Sequence, residues 1–294
     1  MKSFKERVLQ DDEDFLVELV DFNGLPAVKK SIKPTTAAER AWRLQNEAYG
    51  MEFMAGLAQD HPKLQLYIPK LYDIDQTRML REYIDVGPVI SPDMPGEQGL
   101  KNLDELARLL AGIDRVKPYG EVKFVGHFDY RNIRKNFLKW TKEPLAEGLI
   151  TESQVKQTNQ ILDELDVYLE PRITHGDLSP HAHAYIMPDG KIALIDLENF
   201  TPAGARYYDV ARTYVRLYSF EKSTDTPKRF LASFLKHAGQ TEHRDEKLLA
   251  IMLQRTLGMQ YDAWYDARKG IDYKSRAKEL LELVLQGRVE LLYS

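Results

Sequence analysis

ITHGDLSPHAHAYIMPDGKIALIDLENF, residues 173–200, is the stretch whose reading decides the fold. It opens on an apolar approach and packs His175, Gly176 and Asp177 into a turn. Pro188-Asp189-Gly190 is a hairpin signal, so Ala184–Met187 and Lys191–Ile195 read as two short antiparallel strands. Asp196 ends the second strand, 19 residues after Asp177. A hairpin folds that distance back on itself and lets the two carboxylates converge at one end of a small sheet. Two convergent carboxylates suit phosphorylation of a hydroxyl. One orients and deprotonates the alcohol, and the other holds Mg²⁺ against the phosphates.

His175-Gly176-Asp177-Leu178-Ser179-Pro180 followed by Ile195-Asp196-Leu197-Glu198 resembles the aminoglycoside phosphotransferase-like branch of the protein-kinase-like fold. That branch includes choline, fructosamine and homoserine kinases, and its pattern is HGD-(L/F)-x-P-x-N, a hairpin, then IDxE. The resemblance implies an α+β, two-lobe protein-kinase-like fold. A small antiparallel-sheet N-lobe would span residues 1–85, and a mostly helical C-lobe residues 86–294. It implies that Asp177 is the catalytic Asp, that Asp196 is the metal-binding Asp, and that Glu198 is an outer helper. ATP or GTP, with Mg²⁺, is the implied cofactor set. One position departs from the pattern. The Asn expected five residues after the catalytic Asp, as a second Mg²⁺ ligand, is Ala182, which has no donor atom. His181 or His183 substitutes if the loop carries an extra residue, and His183 is carried as the candidate ligand, although imidazole matches Mg²⁺ poorly.

Composition sets the bounds. The chain has 294 residues, 43% hydrophobic and 29% charged, which is ordinary for a soluble globular protein with a sizeable core. A net charge of −4 gives no basic footprint for nucleic acid. With no cysteine, disulfides, thiolate chemistry and Cys-ligated zinc are excluded. No stretch approaches 18 apolar residues and the first residues lack a signal-peptide core, so the expectation is a cytoplasmic protein without a membrane partner.

Before the motif, Arg7–Gln10, Phe15–Phe22 and Leu25–Ile32 read as strands, the last two joined by an Asn23-Gly24 hairpin turn. Ala27-Val28-Lys29 resembles the end of V-A-I-K, which implies that Lys29 faces the nucleotide phosphates and that Lys30 faces away. Thr35-Thr36 caps a helix from Ala37 to about Gln59, on which Glu47, with Glu52 as rival, is the acid that would hold the strand lysine. No glycine-rich loop lies between the first strands, and Asp11-Asp12-Glu13-Asp14 takes that turn instead. One carboxylate ~8 Å from a phosphate charge costs about 2 kcal/mol at an effective dielectric of about 20. Leu66–Tyr72 and Met79–Tyr83 read as further strands of the same sheet. Leu80-Arg81-Glu82-Tyr83-Ile84 resembles the interlobe hinge, where backbone groups of Glu82 and Ile84 would bond adenine.

Downstream, helices are expected at Leu103–Ile113, Phe128–Trp140, Glu152–Leu169, Pro227–Ala238, Glu246–Lys269 and Tyr273–Leu292. Gly204 to Ala211 resembles the family's G-x-x-x-x-D-(L/V)-A, which implies that Asp209 braces the catalytic loop, as an N-cap opening a helix. Tyr261, Trp264 and Tyr265 share a helix face beside Asp262 and Asp266, which either packs as core or receives a cationic small-molecule hydroxyl substrate. Two readings compete with the kinase. One is a catalytically impaired pseudokinase that serves as a nucleotide-binding or regulatory module, argued from Ala182 and the acidic turn. The other is a metal-dependent hydrolase built on a His181/His183 pair in extended chain.

Overall fold

The structure, a computed structural model, describes residues 5–36, 38–94, 96–120, 122–123, 130, 133–221 and 223–294. The N-terminal third is an antiparallel sheet against one long helix. Strands β1 (Arg7–Asp11), β2 (Phe15–Phe22) and β3 (Leu25–Ile32) form a meander. The Asn23-Gly24 turn has positive φ at both residues, 57° and 82°, the twist that two-residue hairpins require. This turn fixes the register. Phe22 faces Leu25, and so Val17 lies opposite Lys30 and Glu18 opposite Lys29. Helix α1 (Ala38–Asp60) carries Leu44, Ala48, Met51, Met54 and Leu57 into the core at helical spacing. The helix start expected at Ala37 lies outside the described residues.

Residues 66–72 depart from the expected single strand. Pro69 cannot donate to a ladder, and the stretch divides into β4 (Leu66–Tyr67) and β5 (Leu71–Ile74). β5 joins β6 (Arg78–Glu82), which pairs with β3, giving the order β1-β2-β3-β6-β5. β4 leaves that sheet altogether and runs parallel to a strand of the 173–200 stretch.

The rest is helical around small sheets. α2 (Gly96–Asp114) buries Leu103, Leu106, Ala107 and Leu110, and Asn102 ties it to the Val89 carbonyl at 3.0 Å. α3 (Phe137–Ala146) begins later than expected, and the expected start at Phe128 lies outside the described residues. α4 (Glu152–Leu165) starts on a capping box between Thr151 and Gln154 and yields to a 3₁₀ turn at Asp166–Tyr168. β7 (Pro171–Thr174) leads into the central motif, and its partner β10 (Thr201–Ala205) leads out. Between them lie β8 (Ala184–Ile186) and β9 (Ile192–Leu194), the expected hairpin, with β4 on the far side of β9.

α5 (Tyr208–Phe220), α6 (Asp225–Ala238), α7 (Arg244–Ala267) and α8 (Lys274–Val284) complete the chain. α7 is the pillar, with every residue from Lys247 to Gln260 buried. Each fully buried Leu, Ile or Met along it contributes about 1.5–3 kcal/mol. The mixed α+β architecture, a small antiparallel N-terminal sheet with a helical C-terminal region, is the expected fold class.

Candidate active site

The site lies where the N-terminal sheet, α1 and the central motif meet. Lys30 leaves β3 on the face shared with Val28 and is 7% exposed. Its Nζ donates to Glu47 Oε2 at 2.7 Å, Asp196 Oδ1 at 2.9 Å and Glu198 Oε2 at 3.0 Å. Lys29 faces the other way and pairs with Glu18 at 3.0 Å on the more exposed side of the hairpin. The assignment of the strand lysine to Lys29 is therefore corrected to Lys30. The signal was present in the hairpin turn. Counting back from Asn23-Gly24 sets Lys29 against a glutamate and Lys30 against an apolar Val17, which marks Lys30 as the inward residue. Glu47 meets the strand lysine, though not the one expected. Among the described groups it joins Asp196 and Glu198 in a cluster whose ligand oxygens all lie within 4.8 Å of one another.

Burial works against the Lys30 ammonium, but Asp196, Glu47 and Glu198 outweigh it and hold its pKa well above the usual value. Burial also opposes ionisation of Asp196, and Lys30 with His183 outweighs it and holds the carboxyl well below the usual range. Glu198 goes the other way: burial, then the Asp196 charge, pushes it up to about 6. Arg43 from α1 bonds Glu198 and also reaches Asp14 at 3.2 Å. Three carboxylates thus face two cations. Hard carboxylate oxygens at this spacing fit Mg²⁺, with the Lys30 ammonium at their centre as a stand-in positive charge.

The catalytic-loop turn is set by close packing. Gly176 has φ +88°, and a Cβ there would lie 2.2 Å from the Asn199 carbonyl oxygen, so only glycine lets the loop rest on the segment after Asp196. Asp196 itself is left-handed, with φ 61°, a strained conformation held by the packing around it. Asp209 braces the turn from α5 by accepting the N–H groups of His175 at 2.7 Å and Gly176 at 3.0 Å. It does not cap its own helix, because Tyr207 holds the N-cap position without a side-chain bond. Burial outweighs those two bonds and pushes Asp209 up to about 7. His175 is buried, and its Nε2–H donates to the Ile195 carbonyl at 2.9 Å.

Asp177 and Asp196 stand at opposite ends of one imidazole. His183 Nδ1 bonds the Asp177 carbonyl, and its Nε2 lies 3.5 Å from Asp196 Oδ2. His183 thus presents a ring nitrogen beside the carboxylate cluster, while Ala182 lines the same cleft with a methyl group. His181 points elsewhere, to Glu221 at 3.0 Å. The segment is a turn rather than extended chain, so the His181/His183 metal pair does not form. Asp177 has a partner that its own motif gave no sign of. Arg212 Nη2 lies 2.5 Å from its Oδ1, and Arg212 Nη1 lies 2.9 Å from Asp262. Burial would raise the Asp177 carboxyl, but Arg212 foremost, then His183 and Arg216, brings it down to about 2. Arg212 follows Asp209 by one helical turn, and that spacing was the available signal.

The helix-face reading for a cation also changes. Asp262 is held by Arg212, and Asp266 accepts the Tyr273 hydroxyl at 2.8 Å. Lys139, Arg268 and Lys269 of the chain itself cover Tyr261, Trp264 and Tyr265 at 5.5, 5.3 and 4.2 Å. These five residues are engaged with groups of their own protein. The acidic first turn is likewise satisfied: Asp11 meets Lys33, Asp12 accepts the N–H groups of Asp14 and Phe15, and Asp14 meets Arg43.

A cleft of about 330 Å³ runs past these groups, lined by Val17, Val28, Lys30, Arg81, Tyr185 and Ile195 among others. Glu82 and Ile84 do not line it. The Glu82 side chain accepts from Tyr67 and from the Lys70 N–H, its own N–H donates to the Lys70 carbonyl at 2.9 Å, and its carbonyl accepts from Arg81 Nη1 at 3.1 Å. The expected free hinge groups of Glu82 are thus already bonded, and Ile84 is buried.

Comparison with known proteins matches this geometry. The model of the phosphotransferase enzyme family matches residues 32–250. No curated protein matches the sequence. Among solved structures, a microcompartment-associated aminopropanol kinase is similar at a TM-score of 0.64 and 15% identity, over 97% of this chain and 94% of that one. A thermostable mutant of an aminoglycoside phosphotransferase, in ternary complex with ADP and hygromycin B, gives 0.63 at 14%, over 96% and 94%. The choline kinase LicA from Streptococcus pneumoniae gives 0.58 at 16%, over 97% and 92%. At these identities the structural likenesses establish the fold. Among the described residues, no helix is long and apolar enough to cross a membrane.

Proposed function

Because the chain belongs to the phosphotransferase enzyme family, we propose that it transfers the γ-phosphoryl group of a nucleoside triphosphate to a hydroxyl of a small molecule, in the cytoplasm, with Mg²⁺. The observation that carries the reading is Lys30 Nζ bonded to Glu47, Asp196 and Glu198 at one end of the cleft. An ammonium on three carboxylates is a prepared seat for a metal and a polyphosphate, which together would replace the internal ion pairs. In this reading Asp196 and Glu198 hold Mg²⁺, with His183 Nε2 as a further donor at the position left empty by Ala182. The metal would supply charge neutralisation at the phosphate oxygens.

Glu47 anchors Lys30, which swings only its terminal ammonium to meet phosphate. Asp177 orients the acceptor hydroxyl. Held at about 2, it is fully ionised but a weak base, which suits a loose transition state in which the hydroxyl proton leaves late. Arg212 fixes the Asp177 carboxylate in one rotamer and keeps it charged. Positioning supplies most of the rate in such transfers, so these groups suffice. The lobes would meet between residues 85 and 86.

The test is calorimetric titration of ATP and GTP with Mg²⁺ and with EDTA, using Asp196→Asn as control. Saturable, Mg²⁺-dependent binding that Asp196→Asn abolishes supports the reading and opens a screen of alcohol acceptors. No binding at millimolar nucleotide refutes it and favours the regulatory module.

A further inference from the structure

The cleft has two ends of different chemistry. At one end lie Lys30 and the carboxylate cluster. The other end holds Val28, Tyr185 and, on the same sheet face, Arg81. β6 pairs Lys30 with Met79 and Val28 with Arg81, so Arg81 sits two residue pairs further along on the same face, roughly 7 Å by strand rise. It is 9% exposed and lines the cleft. The only side-chain hydrogen bond it makes among the described residues runs from Nη1 to the Glu82 carbonyl, and no described carboxylate lies within 4.0 Å of its guanidinium. A guanidinium is always charged and has five N–H donors and no acceptor. Its remaining donors open onto the cleft, where a ligand that brings acceptors can meet them.

From this we infer that Arg81 selects a 6-oxopurine, so that the phosphoryl donor is GTP in preference to ATP. The inference rests on the nucleotide reading of the cleft. Guanine presents O6 and N7 as adjacent acceptors, which a guanidinium bonds bidentately. Adenine presents N7 beside an N6 amino donor, and that donor would face the Arg81 donors. The base end of the cleft therefore presents Arg81 donors to the edge on which adenine carries its amino group. A phosphate group is the other acceptor-rich ligand, but the Lys30 end is built for it, whereas Val28 and Tyr185 beside Arg81 offer an apolar slot for a flat ring.

The experiment is calorimetric titration of Mg·GTP, Mg·ITP and Mg·ATP into the full chain and into Arg81→Met, with Asp196→Asn as the metal control. Both GTP and ITP are expected to bind about tenfold or more tightly than ATP, because both present O6 and N7. Arg81→Met is expected to bring the three within about twofold, with the Asp196 dependence unchanged. Equal or tighter binding of ATP by the unaltered protein overturns the proposal while leaving the phosphotransferase reading intact. GTP selectivity that persists in Arg81→Met also overturns it, since another group would then read the base. Absence of binding by every nucleotide removes both readings. The comparison of three nucleotides on the unaltered protein needs no variant, so a poorly folding Arg81→Met leaves the selectivity itself decisive.

Discussion

Gly176→Ala separates two costs that usually travel together. The glycine holds φ +88°, and a Cβ there meets the Asn199 carbonyl oxygen at 2.2 Å. Real Cβ contacts stop near 3.0 Å, so the catalytic loop and the Asp196–Asn199 segment must part by about 0.8 Å. The left-handed conformation alone costs an L-residue about 1–2 kcal/mol. Forcing apart packed backbone adds about 1–3 kcal/mol. Gly24→Ala is the matched control: its φ is +82°, but nothing lies within 4 Å of a Cβ there. At roughly 2 °C per kcal/mol for a chain of this size, Gly24→Ala lowers Tm by about 2–4 °C and Gly176→Ala by about 4–10 °C. The functional effect is the sharper discriminator. Asp177 follows Gly176 directly and Glu198 precedes Asn199, so the parting moves the proposed catalytic and metal-holding carboxylates relative to each other. A misplacement near 1 Å costs on the order of a hundredfold in reactions that depend on position. Mg²⁺–nucleotide affinity by calorimetry is expected to fall tenfold or more in Gly176→Ala and to stay unchanged in Gly24→Ala. Equal Tm losses in the two variants, with unchanged nucleotide affinity in Gly176→Ala, would refute the reasoning.

Two further outcomes are expected. Lys30→Met, which strips the ammonium from three carboxylates, abolishes measurable nucleotide binding, whereas Lys29→Met, which breaks a partly exposed pair, changes affinity less than twofold and stability by about 0.5 kcal/mol at most; calorimetry and thermal unfolding check both. Asp209, at about 7 in the folded state against an ordinary value of 3.8, keeps its proton on folding through that window while the unfolded chain loses it, so its contribution to stability falls as pH rises from about 4 to 7. Asp209→Asn cannot titrate. Its Tm relative to the unaltered protein should therefore climb over that range, and a flat difference would place the Asp209 carboxyl at its ordinary value.

Much of the frame was legible because it is written in local chemistry. Asn23-Gly24 and Pro188-Asp189-Gly190 determine hairpins within a few residues, without help from the rest of the chain. The His175 to Asp177 turn and Asp196 carried the family resemblance for the same reason, and the apolar spacing of Leu103, Leu106, Leu109 and Leu110 marked α2. What failed was parity and partnership. Lys29 and Lys30 are chemically alike, and only the pairing of β3 with β2 decides which of them enters the core side. A one-residue error in strand parity exchanges the two faces. Residues 66–72 looked continuous, yet β4 crosses to β9 because a parallel pairing forms between segments more than a hundred residues apart.

Tertiary structure alone decided the electrostatics of the site. Arg212 and Asp177 are 35 residues apart, and Arg43 and Glu198 are 155 apart. No local pattern announces such pairs, and they set which carboxylates are charged, strained or free. The same holds for Asp262 and Asp266. In sequence they read as acids beside aromatics, but folding brings an arginine and a tyrosine hydroxyl against them before any ligand arrives. A sequence fixes which groups a chain has and how neighbours alternate. Which charges meet is decided by packing, because the energy of an ion pair depends on distance and burial and both are properties of the folded chain.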